Sequence, residues 1–96
     1  MAYKIVLDAG HGGEDPGAVY IDRKEKDDNL SLALAVGKIL EDNGIDVVYT
    51  RTTDIYQTPF EKARFANETG ADFFYFFSQE QQSGIRTIQW SRSTGL

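Results

Sequence analysis

The first patterned stretch, Tyr3-Lys4-Ile5-Val6-Leu7-Asp8, is apolar and β-branched at its centre, which predicts a buried strand ending at Ala9-Gly10. Residues 9–19 are rich in glycine and hold Pro16, and so read as a loop. Asn29 is placed to cap a helix running to about Asn43, with Leu32, Ala35, Val36, Ile39 and Leu40 at the spacing of one buried face. Gly44 stands where a helix-terminating glycine belongs. Ile45 to Thr50 predicts the next strand. Thr58-Pro59-Phe60-Glu61 then combines a capping-box spacing with proline at the first helical position, for a helix to about Thr69 that stops at Gly70. Asp72 to Ser78 contains five consecutive aromatic residues, Phe73 to Phe77, and reads as a strand buried on both faces. The alternation predicts an α/β fold with a mostly parallel sheet and flanking helices.

The pattern then changes. Residues 79–96 carry one of the fifteen acidic residues and no lysine, and no period persists. They read as a polar tail with one marginal strand over 85–90, which divides the chain into 1–78 and 79–96.

Composition narrows the chemistry. With 41% hydrophobic and 26% charged residues the 96-residue chain has the balance of a small globular domain rather than a disordered one. A net charge of −5 argues against nucleic acid or an anionic membrane surface as main partner. No apolar run approaches the length of a transmembrane span. Ile5-Val6-Leu7 is too short for the apolar core of a signal peptide. Cysteine is absent, so thiolate metal sites are excluded. There is one histidine, His11, and any histidine-based site must be built around it.

His11 lies in Asp8-Ala9-Gly10-His11-Gly12-Gly13-Glu14-Asp15-Pro16-Gly17-Ala18, directly after the first strand. Ligands of open α/β sheets bind at the carboxyl ends of strands, so the position suits a site. A histidine in a solvated turn is the plainer reading of the same residues. A phosphate cradle fits less well, because the loop lacks the Lys-Ser/Thr of a P-loop and the spacing of a dinucleotide fingerprint. In Arg23-Lys24-Glu25-Lys26-Asp27-Asp28-Asn29-Leu30, helix-dipole compensation accounts for Asp27 and Asp28. It does not require Glu25, which is free to serve as a hard oxygen ligand. Catalytic zinc mixes imidazole nitrogen with carboxylate oxygen and wants three protein donors plus an open position.

Residues 8–18 closely resemble the opening motif of the zinc-dependent N-acetylmuramoyl-L-alanine amidases of the amidase-3 type. The resemblance continues through Glu25-Lys26-Asp27-Asp28-Asn29-Leu30. It extends to Thr50-Arg51-Thr52-Thr53-Asp54, Arg64-Phe65-Ala66-Asn67 and Ala71-Asp72-Phe73-Phe74, in order and spacing, over about the first 75 residues. It implies the fold of that family in truncated form, with His11 and Glu25 as the first two zinc ligands. The implied substrate is peptidoglycan, at the cell wall, cut at the amide joining muramic acid to the L-alanine of the stem peptide. Zinc would polarise the carbonyl and activate water, with a glutamate as general base. Arg51 and Arg64 are expected in structural ion pairs, with Asp54 and Asp72 as partners.

The resemblance breaks after Phe74. The family strand ends in Ser-Ile-His-x-Asn, whose histidine is the third ligand, whereas this chain reads Tyr75-Phe76-Phe77-Ser78-Gln79-Glu80. The family's catalytic glutamate falls beyond the matching region, and Glu80 belongs to neither motif. Codons for Tyr75 to Gln81 can be written so that a one-base shift decodes as Ile-Ser-Phe-His-(Lys/Arg)-Asn, the histidine falling at Ser78. Residues 75–96 are therefore expected to be out of frame. Three consequences are expected: a weak or incomplete zinc site, impaired turnover, and an uncovered aromatic sheet edge open to pairing or aggregation. A non-catalytic wall-binding module or an inactive fragment is the competing reading.

Overall fold

A computed structural model describes residues 3–79 and 86–92. Strand β1 (Lys4–Ala9) is followed by a two-stranded hairpin, β2 (Val19–Tyr20) and β3 (Arg23–Lys24). Helix α1 (Glu25–Asp42), strand β4 (Asp46–Tyr49), helix α2 (Pro59–Thr69), and strands β5 (Phe73–Gln79) and β6 (Arg86–Arg92) complete the order. The main sheet runs β4-β1-β5-β6. β1 pairs in parallel with β4 and with β5, setting Leu7 against Tyr49 on one side and Ala9 against Phe77 on the other. β6 runs antiparallel to β5, with Phe73 opposite Arg92 and Gln79 opposite Arg86.

Alternate β1 side chains point to opposite faces, and each face has its own helix. Ile5, Leu7 and Ala9 pack with Ala33 and Phe77 in one cluster, joined by Leu30, Leu32, Val36 and Leu40 of α1. Val6 faces the other way, with Ala66 and Ala71 and with half-buried Val48, Phe65 and Phe74. The chains leaving β1 and β4 thus run to helices on opposite sides of the sheet. Where connections diverge in this way, open α/β sheets form a crevice at the carboxyl ends of neighbouring strands.

Helix α1 departs from expectation at its start. It begins at Glu25, four residues before Asn29, and Asn29 is a fully buried interior residue rather than a cap. Its cap residue, Lys24, contributes no side-chain hydrogen bond. The first amides are met instead by the loop before it: Glu25 N–H donates to Ala18 O at 2.8 Å and Lys26 N–H to Pro16 O at 3.0 Å. The buried seam runs through Lys26, Asn29, Ala33 and Gly37, so Ala35 and Ile39, expected inside, are exposed. Gly37 lies in that seam because a Cβ there would collide with the Tyr49 hydroxyl. At its far end the helix closes as expected. Gly44 takes φ 80°, its N–H donates to Glu41 O, and Ile45 N–H donates to Leu40 O, a Schellman closure.

Helix α2 matches its predicted ends. Thr58 Oγ1 accepts from Glu61 N–H at 3.1 Å while Glu61 Oε1 accepts from Thr58 N–H at 2.9 Å, and Gly70 closes the helix at φ 67°. The aromatic strand is only partly as expected. Phe77 is buried, but Phe73 to Phe76 are half-buried: Phe73 and Tyr75 lie in the α1-side cluster, and Phe74 lies on the other face, where α2 buries only Ala66. The uncovered edge does not occur beside β5, since β6 pairs along its whole length. That strand overlaps the marginal one expected over 85–90. The rest of the expected polar tail, residues 80–85 and 93–96, lies outside the described residues. No helix among the described residues is long and apolar enough to cross a membrane.

The reciprocal cap at Thr58 generates a prediction. Thr58→Ala should lower unfolding stability by about 1 kcal/mol without changing the denaturant m-value, as read from urea titration followed by circular dichroism.

Candidate functional site

The crevice is lined by three segments: the loop after β1, the first turn of α1, and the loop after β4. β1 delivers the first. Its hydrogen bonding to β5 extends one residue past the strand, with Gly10 N–H donating to Phe77 O at 3.1 Å. The chain then turns sharply through Gly12 to Asp15, which exchange backbone hydrogen bonds of 2.7 and 2.9 Å. His11 enters this turn at φ 66°, a left-handed conformation that an L-residue adopts only when its surroundings hold it there.

Two carboxylates grip the imidazole. Nδ1 lies 2.8 Å from Asp15 Oδ2 and Nε2 lies 3.1 Å from Glu25 Oε2. Asp15 is ionised at neutral pH. Its carboxyl is held below the ordinary range chiefly by the His11 hydrogen bond, with help from Gly17 N–H at 3.1 Å. An ionised carboxylate only accepts, so Nδ1 carries the proton. Nε2 faces the Glu25 carboxylate, so that pair needs a proton or a cation between its two atoms.

Glu25 is fixed just as firmly. Its side chain is 3% exposed, Oε1 accepts from Ala18 N–H at 3.0 Å, and Oε2 accepts from Asn29 Nδ2 at 3.3 Å. Asn29 Nδ2 also donates to Gly10 O at 3.1 Å, so one buried amide ties the carboxylate to the loop carrying the histidine. Gly17, at φ 68°, packs onto both groups. A Cβ there would fall 2.6 Å from His11 Cδ2 and 2.7 Å from Glu25 Oε1.

The loop after β4 supplies the outer frame. The Arg51 guanidinium, 4% exposed, donates to four carbonyls: Ala9 O at 3.0 Å, Gly10 O at 3.2 Å, Lys26 O at 2.8 Å and Thr53 O at 3.0 Å. Burial draws its pKa down from the ordinary value. Lys26 crosses in the opposite direction, its Nζ donating to Gly13 O at 2.9 Å and to Asp54 Oδ2 at 2.7 Å. Asp54 Oδ1 accepts from Gly13 N–H at 2.8 Å. Beneath these ties the buried Asp8 carboxylate is satisfied by Thr50 Oγ1 at 2.9 Å and Lys62 Nζ at 3.1 Å.

His11 and Glu25, the two residues singled out in the sequence, are thus side by side. The two arginines are not in the expected ion pairs. Arg51 is turned inward onto backbone carbonyls, where no carboxylate could offer as many acceptors in its plane. Arg64 pairs on the surface with Glu68 at 2.8 Å, one helical turn away. Asp54 takes Lys26, and Asp72 accepts from Lys4 N–H at 2.9 Å. Sequence reading missed Asp15, Lys26 and Asn29. Asp15 was legible only as part of a turn and Lys26 as part of a charge run, and Asn29 offered itself as a cap. Among the described residues no cluster of three His, Asp or Glu side chains is placed to hold a metal ion.

Comparison with known proteins adds to this geometry. A family model described as N-acetylmuramoyl-L-alanine amidase matches residues 5–77. The sporulation-specific N-acetylmuramoyl-L-alanine amidase of Bacillus subtilis is 44% identical over 73 residues, covering 74% of this chain and 29% of the relative. The N-acetylmuramoyl-L-alanine amidase AmiA of Escherichia coli is 41% identical over 71 residues, covering 73% and 25%. The chain therefore spans less than a third of the length of these two relatives. Among solved structures, the catalytic domain of CwlV, an N-acetylmuramoyl-L-alanine amidase from Bacillus (Paenibacillus) polymyxa var. colistinus, superposes with a TM-score of 0.77 at 34% identity. That match covers 81% of this chain and 45% of the other.

The Lys26–Asp54–Gly13 tie is open to a pH test. Its carboxyl is depressed in the folded state, first by the Lys26 hydrogen bond and then by Gly13 N–H. A depressed carboxyl stabilises fully above its unfolded pKa, about 4. The contribution is lost as pH falls from there through the lower folded value. Asp54→Asn should therefore lower Tm at neutral pH and flatten its fall below about pH 4. Thermal melts of both proteins across the acid range check this.

Proposed function

This chain belongs to the N-acetylmuramoyl-L-alanine amidase family, and we propose that its crevice is the amino-terminal part of the zinc centre of a peptidoglycan amidase. The reaction is hydrolysis of the amide between N-acetylmuramic acid and the L-alanine of the stem peptide, at the cell wall. The observation that carries this reading is the facing pair itself. With Nδ1 turned to Asp15, Nε2 and a buried carboxylate oxygen confront each other at 3.1 Å. Two acceptors so placed need a proton or a cation between them. Nitrogen with carboxylate oxygen is a donor set that zinc accepts. His11, through Nε2, and Glu25 would hold the metal.

When bound, zinc supplies Lewis-acid polarisation of the scissile carbonyl and activation of a water molecule. The chain's own residues do the positioning. Asp15 fixes the imidazole tautomer and raises the basicity of Nε2, the usual task of a carboxylate behind a ligating histidine. Asn29 and the Ala18 amide hold the Glu25 carboxylate in one orientation, leaving the ligand pair no rotamer to lose on binding.

We read the 96 residues as they stand as impaired. The site needs a third protein donor and a general base. The sequence holds one histidine. The β1–β5 register supports Ser78 as the place of the missing donor. Ala9 is opposite Phe77, so the next residue of β5 comes level with Gly10, one position from His11. The family match ending at residue 77 supports a loss of frame close to that point. The coding DNA tests it: an alternative frame yielding the family's histidine and later glutamate is expected.

In binding experiments the wild-type chain should lose zinc on dialysis and release no peptide from purified cell wall. Ser78→His should tighten zinc by about tenfold or more in calorimetry. Stoichiometric zinc retained through dialysis, together with peptide release, would overturn the impairment. Co-sedimentation with cell wall that survives a chelator would instead mark a non-catalytic binding module.

A further inference from the structure

A histidine on a glycine-rich turn and a glutamate at a helix start belong to separate elements, fourteen residues apart in the sequence. Something must set their separation. The Ala18 amide orients the carboxylate and Asp15 orients the ring, each acting on one partner, while Asn29 Nδ2 links the Glu25 carboxylate to Gly10 O through a single nitrogen. Arg51 ties the backbone of both segments at several points. Its Nε and one terminal nitrogen hold the carbonyls of Ala9 and Gly10, the two residues leading into His11. That same terminal nitrogen holds the carbonyl of Lys26, the residue after Glu25. The remaining nitrogen anchors the group to its own loop through Thr53 O.

We propose that Arg51 is the positioning residue of this site, a planar guanidinium that gauges the distance between the His11 loop and the first turn of α1. The assignment rests on the reading of His11 and Glu25 as metal donors for its functional consequence, though not for its geometry.

Two features separate this from a generic buried arginine. The charge is compensated by carbonyl dipoles, with no ion pair to Arg51 among the described residues within salt-bridge distance. Its directionality is therefore set by the backbone of the site. The fork is also used at all three nitrogens towards three segments, a reach that one ammonium at the end of a flexible stem cannot reproduce. Lys26 is no substitute: its Nζ reaches Gly13 and Asp54, beyond the histidine, and leaves the Gly10 side of the turn untouched.

The test compares Arg51→Lys and Arg51→Gln with the surface control Arg64→Gln in the full 96-residue chain. The first readout is the nuclear Overhauser contact between the His11 ring and the Glu25 side chain in zinc-free protein. Both Arg51 variants should lose it while contacts across β4-β1-β5 persist, and zinc affinity should fall about 10- to 100-fold. Arg64→Gln should change neither. Retention of the contact in Arg51→Lys, or its absence from wild type, overturns the proposal. If wild type shows the contact and binds no zinc, the metal reading fails while the positioning role stands. Should the variants not fold, exchange of the Arg51 Nε–H in wild type decides: exchange as slow as the Val6 amide supports the role, and exchange as fast as Arg64 overturns it.

Discussion

The backbone of residues 9–18 leaves the sheet at its carboxyl end and immediately loses its strand partners, yet much of it is too enclosed for water to replace them. Buried carbonyls and amides must be paired, because an unmet one costs about 1–3 kcal/mol. How this segment is paired determines the rest of the site. Its first carbonyls are taken by Arg51 and Asn29, its turn closes on itself between Gly12 and Asp15, and Gly13 is held by Lys26 and Asp54. Towards its end the carbonyls of Pro16 and Ala18 accept the first amides of α1. The last exchange explains a helix with no side-chain cap. Loop and helix satisfy each other, and Glu25 emerges from that junction already facing His11.

The polar side chains that complete this pairing sit at one end of an otherwise apolar sheet. Asp8, Glu25, Lys26, Asn29 and Arg51 are all buried, a concentration of polar and charged groups that would be destabilising if any partner were missing. Each is held by two or more bonds, although Asn29 Oδ1 is buried without a partner, and the bonds cross between segments distant in sequence. Arg51 runs from the β4 loop to α1, and Lys26 from α1 back to the β4 loop through Asp54. These bonds tie the loops at the carboxyl end of the sheet to one another.

Legibility varied with the range of the interaction. The Thr58 capping box and the closures at Gly44 and Gly70 are local, and they are found as written in the sequence. The start of α1 was not legible, because its amides are satisfied by Pro16 and Ala18 rather than by the residue before it. Asn29 looked like a cap, since a short polar side chain before an apolar run usually is one. Here it is drawn inside by Gly10 O and Glu25. The buried face of α1 followed the same error. Once the helix begins at Glu25, the seam through Lys26, Asn29, Ala33 and Gly37 faces the sheet and Ile39 does not.

The two functional candidates, His11 and Glu25, were visible from residue type, motif and order alone, and so was the alternation of strand and helix. Those are properties of short stretches, set by side-chain period and turn chemistry. The partners of Arg51, the placement of Asp15 on Nδ1, and the role of Asn29 depend on which backbone groups the fold leaves unpaired. So does the pairing of β6 along the aromatic strand, which closes an edge that was expected to be uncovered. Such pairings are decided when the elements pack, because a guanidinium or an amide bonds to whichever carbonyls the sheet has left without a strand. Sequence singled out the candidate residues. Tertiary structure decided what holds them together.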